Sequence, residues 1–106
     1  MADSLLEIIN EAAKTTQQLN YNKYYIGLSD GVRSRNFVYF RPGRKYLRVI
    51  VPGGYTEERL ARLEDAGIAA DEHNQKLRIT IDAKQLNKQR ELITTLLHEA
   101  VEDHEK

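Results

Sequence analysis

The sequence predicts an α+β domain in which an antiparallel sheet of four to five strands is backed on one face by two long helices, with one short helix beside them. Near both ends of the chain, apolar residues recur at three- and four-residue steps, the period of an amphipathic helix. In the middle they alternate with polar residues, the period of a strand, and short turn signals separate these stretches. The 106 residues predict a single domain over residues 1–106, because two separate cores would each be too small.

The first helix is predicted to begin at Ser4. Ser4 and Glu7 have the spacing of a capping box, in which each side chain accepts a hydrogen bond from the other residue's backbone N–H. Apolar residues then continue at helical spacing as far as Leu19, and the polar residues 20–22 interrupt the pattern. We therefore expect one helix over most of the first twenty residues.

Three strands are predicted to follow as hairpins. Alternation over residues 23–29, aromatic and β-branched residues over 36–41, and a similar pattern over 45–51 indicate the strands. Asp30-Gly31 marks the first turn. In Arg41-Pro42-Gly43-Arg44, proline suits the second position of a tight turn, and glycine suits a third position with positive φ.

The second half is predicted to contain a short helix and then two paired strands. Thr56 is a suitable N-cap for a helix over residues 57–66, and Gly67 is a suitable C-cap. Residues 68–72 indicate a short strand that pairs, through a three-residue turn, with the clearly alternating residues 77–81.

A long terminal helix is predicted to begin at Asp82, which forms a second capping box with Gln85. Apolar residues at helical spacing continue from Leu86 to Val101, and residues 103–106 should fray. The expected order is α-β-β-β-α-(β)-β-α, where the bracketed strand is the one over 68–72.

Alternation also predicts which side chains point toward the helices. The expected core-facing set is Val38, Phe40, Leu47, Val49, Val51, Leu77, Ile79 and Ile81. The set expected on the opposite face is Phe37, Tyr39, Arg41, Tyr46, Arg48, Arg78 and Thr80.

Charge is spread unevenly along a chain whose formal net charge is zero. Residues 21–54 hold seven Lys or Arg residues and one acid, Asp30, together with five tyrosines and both phenylalanines. Arginines can neutralise phosphates and aromatic rings can stack on bases, an arrangement that single-strand binders present on exposed sheets. The composition therefore favours a binding module over an enzyme.

The expected ligand surface combines the outward-facing sheet residues with the basic hairpin. Its predicted members are Arg35, Tyr39, Arg41, Arg44, Tyr46, Arg48 and Arg78. The leading hypothesis is contact with nucleic acid or with a nucleic-acid-processing partner. The alternative is a protein-interaction or homodimerisation module, or an accessory domain of a larger enzyme, that uses this surface without binding nucleic acid.

No catalytic, cofactor or metal site is predicted. The chain has no cysteine, phosphate-binding loop or nucleophile elbow. His98 begins a stretch like the zinc-protease helix motif, but Glu102 stands where that motif needs a second histidine. Residues 1–4 lack the basic start of a secretion signal and no apolar run approaches the roughly 20 residues that span a bilayer, so we expect a cytoplasmic protein without membrane contact.

Three segments resemble a bacterial domain of uncharacterised function. They are Tyr-Ile-Gly-Leu at residues 25–28, Arg-Asn-Phe-Val-Tyr-Phe-Arg-Pro at 35–42 and Lys-Tyr-Leu-Arg-Val at 45–49. The domain closes many proteins labelled "predicted transport protein" and some nuclease-like proteins. This chain departs from it at residues 67–76, where members often carry a loop rich in Gly and Trp. The resemblance implies a fold and a bacterial or phage setting, and it implies no established activity or catalytic residues.

Overall fold

The computed structural model describes all 106 residues and contains six strands and four helices. The strands are β1 (Gln18–Tyr21), β2 (Ile26–Ser29), β3 (Tyr39–Pro42), β4 (Leu47–Val51), β5 (Ala69–His73) and β6 (Lys76–Ile81). The helices are α1 (Ala2–Ala12), α2 (Glu57–Asp65), α3 (Ala83–Lys88) and α4 (Arg90–Glu105).

All six strands form one antiparallel sheet in the order β1-β2-β3-β4-β6-β5. Each neighbour in the sheet is also a neighbour in the chain, except that β4 pairs with β6 and leaves β5 at the edge. The predicted α+β class is confirmed, and the predicted order holds once β1 is added and the terminal helix is divided in two. The sheet has six strands rather than four to five.

The extra strand, β1, occupies residues that were predicted to extend the first helix. α1 begins at Ala2 and ends at Ala12, so Ser4 lies inside it and caps nothing. The side chain of Asn10 accepts from the backbone N–H of Gln17 at 2.8 Å and donates to its carbonyl oxygen at 3.0 Å. These two bonds hold the chain in an extended turn after α1. Leu19 therefore lies in a strand, although its spacing from the apolar residues of α1 is that of a helix.

The turn between β3 and β4 lies two residues further along the chain than predicted. Pro42 is the last residue of β3 and pairs with Leu47, and Gly43 donates its N–H to the carbonyl oxygen of Tyr46 at 2.9 Å. Gly43 is not among the residues with positive φ, so the expected turn centred on Pro42-Gly43 is wrong. Instead, Arg44 and Lys45 form the tip, and the Tyr46 ring lies so close to Gly43 that a side chain there would collide with it.

The caps predicted for the second half are confirmed. Thr56 accepts from the backbone N–H of Arg59 at 3.0 Å, and Gly67 follows α2 with φ of +75°, a conformation that costs glycine no steric strain. β5 and β6 are joined by Asn74 and Gln75, both with positive φ, as the tightest hairpins require.

The terminal helical region differs from the prediction in two ways. The capping box of Asp82 and Gln85 is present, but the helix it starts ends at Lys88, and α4 begins after a non-helical Gln89. α4 then continues to Glu105, whose carboxylate accepts from the backbone N–H of Lys14 at 2.8 Å, so the predicted fraying is wrong for residues 103–105, and only Lys106 lies outside the helix. None of the four helices combines the length and apolar character needed to cross a bilayer.

All four helices contribute to one core on one face of the sheet. Each of the eight side chains predicted to face inward is at most 7% exposed, so that half of the alternation is confirmed. Phe37, which was predicted on the opposite face of the sheet, contacts a helix instead. Its N–H donates to Arg35 in a turn before β3, which breaks the alternation, and its ring stacks on His104 of α4 at a centroid distance of 4.2 Å.

Candidate nucleic-acid interface

The sheet face opposite the helices is bare of any covering element, and we call it the uncovered face. Its members follow from the register, which places Arg41 beside Arg48, Tyr39 beside Ile50, and Arg78 between Ile50 and Asp71. The central side chains of the uncovered face are Tyr39, Arg41, Arg48, Ile50, Asp71, Lys76 and Arg78. Four cations therefore share this surface with one carboxylate.

Arg41 and Arg48 are the two arginines of the uncovered face without an acidic partner. They stand directly opposite each other on β3 and β4, and no carboxylate lies within ion-pair distance of either guanidinium. Like charges in this position destabilise a sheet. Two adjacent guanidiniums with free donors are suited to an anionic oxygen group, which would remove this repulsion.

Arg78, by contrast, is already paired. Its Nε and Nη2 donate to the two carboxylate oxygens of Asp71 at 2.7 and 2.9 Å. The hydrogen bond from Arg78 holds the pKa of Asp71 below its ordinary value, with a smaller contribution from the charge of Arg48. The uncovered face thus contains one neutralised arginine beside two arginines and one lysine, Lys76, that have no carboxylate partner.

Tyr39 lies near the centre of the uncovered face and its ring is held from two sides. Tyr25 meets it edge to face, with centroids 5.4 Å apart and planes at 62°. The ammonium of Lys76 is 3.3 Å from the Tyr39 hydroxyl oxygen and 5.8 Å from the ring centroid. These contacts hold the ring in place before any ligand arrives.

Ile50 forms an apolar floor between these polar groups. It is only 2% exposed although it points away from the helices, because the long side chains around it screen it from water. A shallow depression of about 230 Å³ lies here, with His73, Asn74 and Lys76 at one side and the arginines at the other. Its lining offers cationic donors and apolar surface together.

The structure brings together four of the seven predicted site residues, namely Tyr39, Arg41, Arg48 and Arg78. Arg44 and Tyr46 lie at the hairpin instead and border a second depression beside the start of α1. They lie at the end of β3 and β4, close to α1, and do not join the centre of the uncovered face.

Arg35 lies elsewhere and is engaged with an acid. Its Nε donates to Asp30 at 2.9 Å, within a loop that runs from the end of β2. Hydrogen bonds from the backbone N–H groups of Arg33 and Val32, then from Arg35, hold the pKa of Asp30 well below its ordinary value. We interpret this pair as part of the loop's structure.

Four members or neighbours of the uncovered face were not predicted from the sequence: Tyr25, Ile50, Asp71 and Lys76. Lys76 and Ile50 could have been found, because the alternation that assigns Arg78 and Arg48 outward also assigns them outward. Asp71 required knowledge that β5 pairs with β6. Tyr25 precedes β2, so its contact with Tyr39 depends on the sheet order.

No three His, Asp or Glu side chains lie close enough together to hold a metal ion. His98, considered above as a ligand candidate, instead donates from Nε2 to the carbonyl oxygen of Ile8 at 2.9 Å and links α4 to α1.

Comparison of the chain with models of protein families, with curated proteins and with solved structures finds no match, so the resemblance of residues 25–49 to a bacterial domain stays a prediction.

Proposed function

We propose that the uncovered face binds the phosphate backbone of nucleic acid, with a preference for single strands. The observation that carries the proposal is the unpaired Arg41–Arg48 pair at the centre of a sheet face that also presents Tyr39. Two guanidiniums without carboxylate partners can neutralise phosphates, and this releases counterions from the nucleic acid.

Single strands fit this surface better than duplexes. A six-stranded sheet is wider than the major groove of B-DNA, whereas an unpaired strand can lie across the sheet and place its bases on aromatic side chains. The half-buried Tyr39 supplies apolar area between the cations, above the buried Ile50. On the neighbouring strand β2, the side chains of Asn36 and Tyr25 fill the space over Gly27, so the open part of the face begins at Tyr39.

Self-association through the uncovered face is the weaker alternative. Two copies that met face to face would bring their unpaired arginines together with only Asp71 on each side to offset them. An acidic protein partner has the right charge for the arginines. The Tyr39 ring would stack on the bases of a nucleic acid, and this contact has no counterpart in an acidic protein. The salt dependence and the strand preference of binding separate these possibilities.

We expect Arg48→Glu to weaken binding of a single-stranded oligonucleotide roughly tenfold at low salt, because it removes one phosphate contact and adds a repulsive charge. For the wild type, the slope of log affinity against log salt should be about −2 to −4, and the variant should reduce its magnitude by about one. Fluorescence anisotropy over a salt series measures both quantities.

Arg90→Glu is the matched control for this prediction. It makes the same change in net charge, but Arg90 is exposed at the start of α4, in the helical layer. It should leave both affinity and slope close to those of the wild type. Equal losses in the two variants would mean that binding follows the net charge and not the uncovered face, and no binding at high-micromolar protein would favour a protein partner.

A change of opposite sign is expected at Asp71. Asp71→Asn should release Arg78 for phosphate and strengthen oligonucleotide binding by roughly three- to tenfold at low salt, with a steeper salt slope. Glu72→Gln is the control, since Glu72 neighbours Asp71 on β5 and points to the other side of the sheet. The same anisotropy titration applies, and equal gains from both variants would contradict a specific role for the Asp71–Arg78 pair.

A further inference from the structure

The free edge of β1 is unusual because no charge protects it. Residues 15–22 contain no Lys, Arg, Asp or Glu, and β1 has a neighbour on one side only. The other edge strand, β5, carries Asp71 and Glu72 in its centre. Charged side chains on an edge strand discourage pairing with another chain, so the sheet is protected at β5 and open at β1.

The hydrogen bonds around β2 show which backbone groups of β1 face outward. Leu28 donates its N–H to the Asn36 side chain at 2.9 Å, and its carbonyl oxygen accepts from the Arg35 N–H at 2.8 Å, so both groups point away from β1. Leu19 is the register partner of Leu28. Because the backbone groups of Leu28 point away from β1, these two residues make no backbone hydrogen bonds to each other. Its own N–H and carbonyl groups turn to the free edge.

The same holds for Tyr21, two residues further along. The backbone N–H of Asn22 donates to the carbonyl oxygen of Tyr25 at 2.9 Å, so Asn22 and Tyr25 form a hydrogen-bonded pair. Bonded and non-bonded pairs alternate along an antiparallel ladder, so the next pair, Tyr21 with Ile26, is a non-bonded one. Leu19 and Tyr21 thus present four backbone groups, two donors and two acceptors, along the edge.

We propose that β1 pairs with β1 of a second copy of this chain, antiparallel and in the register centred on Asn20. In this register Leu19 lies opposite Tyr21 of the second copy, and Tyr21 lies opposite Leu19 of the second copy. Each pair exchanges two backbone hydrogen bonds, so all four outward groups of each copy are satisfied. A two-fold axis through the Asn20 pair relates the copies.

The side chains suit the same register. Tyr21 is 70% exposed, and it would pack beside Leu19 of the second copy on the helix side of the joined sheet. Asn20 would face its own counterpart on the other side, in the closely spaced non-bonded pair, where two amides can hydrogen-bond. The formal net charge of zero adds no general repulsion between copies.

The pairing is limited in size, because a four-residue strand buries much less than a standard protein interface. We therefore expect a reversible dimer that forms as the concentration rises. The joined copies would share one continuous sheet, with both uncovered faces on the same side. The pairing itself does not depend on what the uncovered face binds.

A charge-pairing experiment tests the register. Asn20→Asp and Asn20→Lys should each weaken dimerisation by more than about tenfold, because each places like charges opposite one another, and an equimolar mixture of the two variants should dimerise again. Sedimentation velocity over a concentration series, without nucleic acid, measures this directly. Circular dichroism of each variant verifies the fold.

Gln18→Asp and Gln18→Lys are the matched controls, since Gln18 lies on the same side of β1 but would face residue 22 of the second copy. Each should still dimerise alone. If an Asn20 variant does not fold, Tyr21→Glu should weaken the dimer instead, because it sets a carboxylate against Leu19. A wild type that stays monomeric up to millimolar concentration, or Asn20 variants that do not recover on mixing, would overturn the proposal.

Discussion

Replacing Phe40 by alanine should lower the free energy of unfolding by about 3–5 kcal/mol. Phe40 is completely buried in β3, between its register partners Ile26 on β2 and Val49 on β4. Truncation removes a large apolar side chain and leaves a cavity that strands on both sides prevent from closing. Urea denaturation followed by circular dichroism measures the loss.

The neighbouring Arg41→Ala provides the control for this result. Arg41 is exposed on the same strand and points to the uncovered face, so its truncation should change the free energy of unfolding by no more than about 0.5 kcal/mol. A loss below about 1 kcal/mol for Phe40→Ala would mean that the assigned inward face of β3 is wrong by one residue.

A large effect is also expected where α2 meets α4. The Glu99 carboxylate accepts from Arg59 Nε at 2.9 Å and from Arg62 Nη2 at 3.0 Å. Arg59 is only 16% exposed and also donates to the carbonyl oxygen of Gly54. Glu99→Gln would remove the counter-charge that the two partly buried guanidiniums share and leave Arg59 with Asp103 and Arg62 with Glu58. We expect a loss of roughly 1–3 kcal/mol at neutral pH.

The effect of Glu99→Gln should depend on pH. Burial alone would raise the pKa of Glu99, but hydrogen bonds from Arg62 and Arg59 outweigh it, and the folded pKa lies below the ordinary 4.5. A carboxylate with a depressed folded pKa contributes stability that is complete above its unfolded pKa and is lost as pH falls through the folded value. The difference between wild type and variant should therefore shrink as pH decreases from 5.

Denaturation curves at neutral pH and at several values below pH 5 test this dependence. Glu102→Gln is the control on the same helix, because Glu102 is exposed and forms no ion pair. It should differ little from the wild type at any pH. A difference between wild type and Glu99→Gln that stays constant on acidification would contradict the assigned role of the Glu99 carboxylate.

Features set by neighbouring residues were predictable from the sequence. The Thr56 cap, the Asp82–Gln85 capping box and the alternation of β6 depend on side chains within a few positions of one another. The core-facing strand residues followed from the same alternation. These elements agree with the structure because tertiary contacts reinforce their local preferences.

Features set by distant contacts were not predictable in the same way. Leu19 continues the apolar period of α1, but the bonds between Asn10 and Gln17 and the pairing with β2 place it in β1. Likewise, the contact of Glu105 with Lys14 joins residues at opposite ends of the sequence and holds the last turn of α4. A helical pattern in one segment contains no information about such partners.

The candidate site shows the same division. Arg41 and Arg48 were assigned to one face by alternation, but their placement as direct neighbours depends on the register of the β3–β4 hairpin. That Asp71 would neutralise Arg78 depends on β5 pairing with β6. Arg35 was wrongly grouped with them because the turn at Phe37 interrupts the strand between Arg35 and β3.

The join between β2 and β3 has a consequence for how the molecule opens. These strands share a single register pair, Ile26 with Phe40, and the Asn36 side chain replaces a ladder bond at Leu28. β1 and β2, in contrast, share four pairs. Fewer backbone pairs are lost when the sheet separates at this join than at any other. We therefore expect local opening to detach the β1–β2 hairpin as one cooperative unit while β3, β4, β6 and β5 stay assembled.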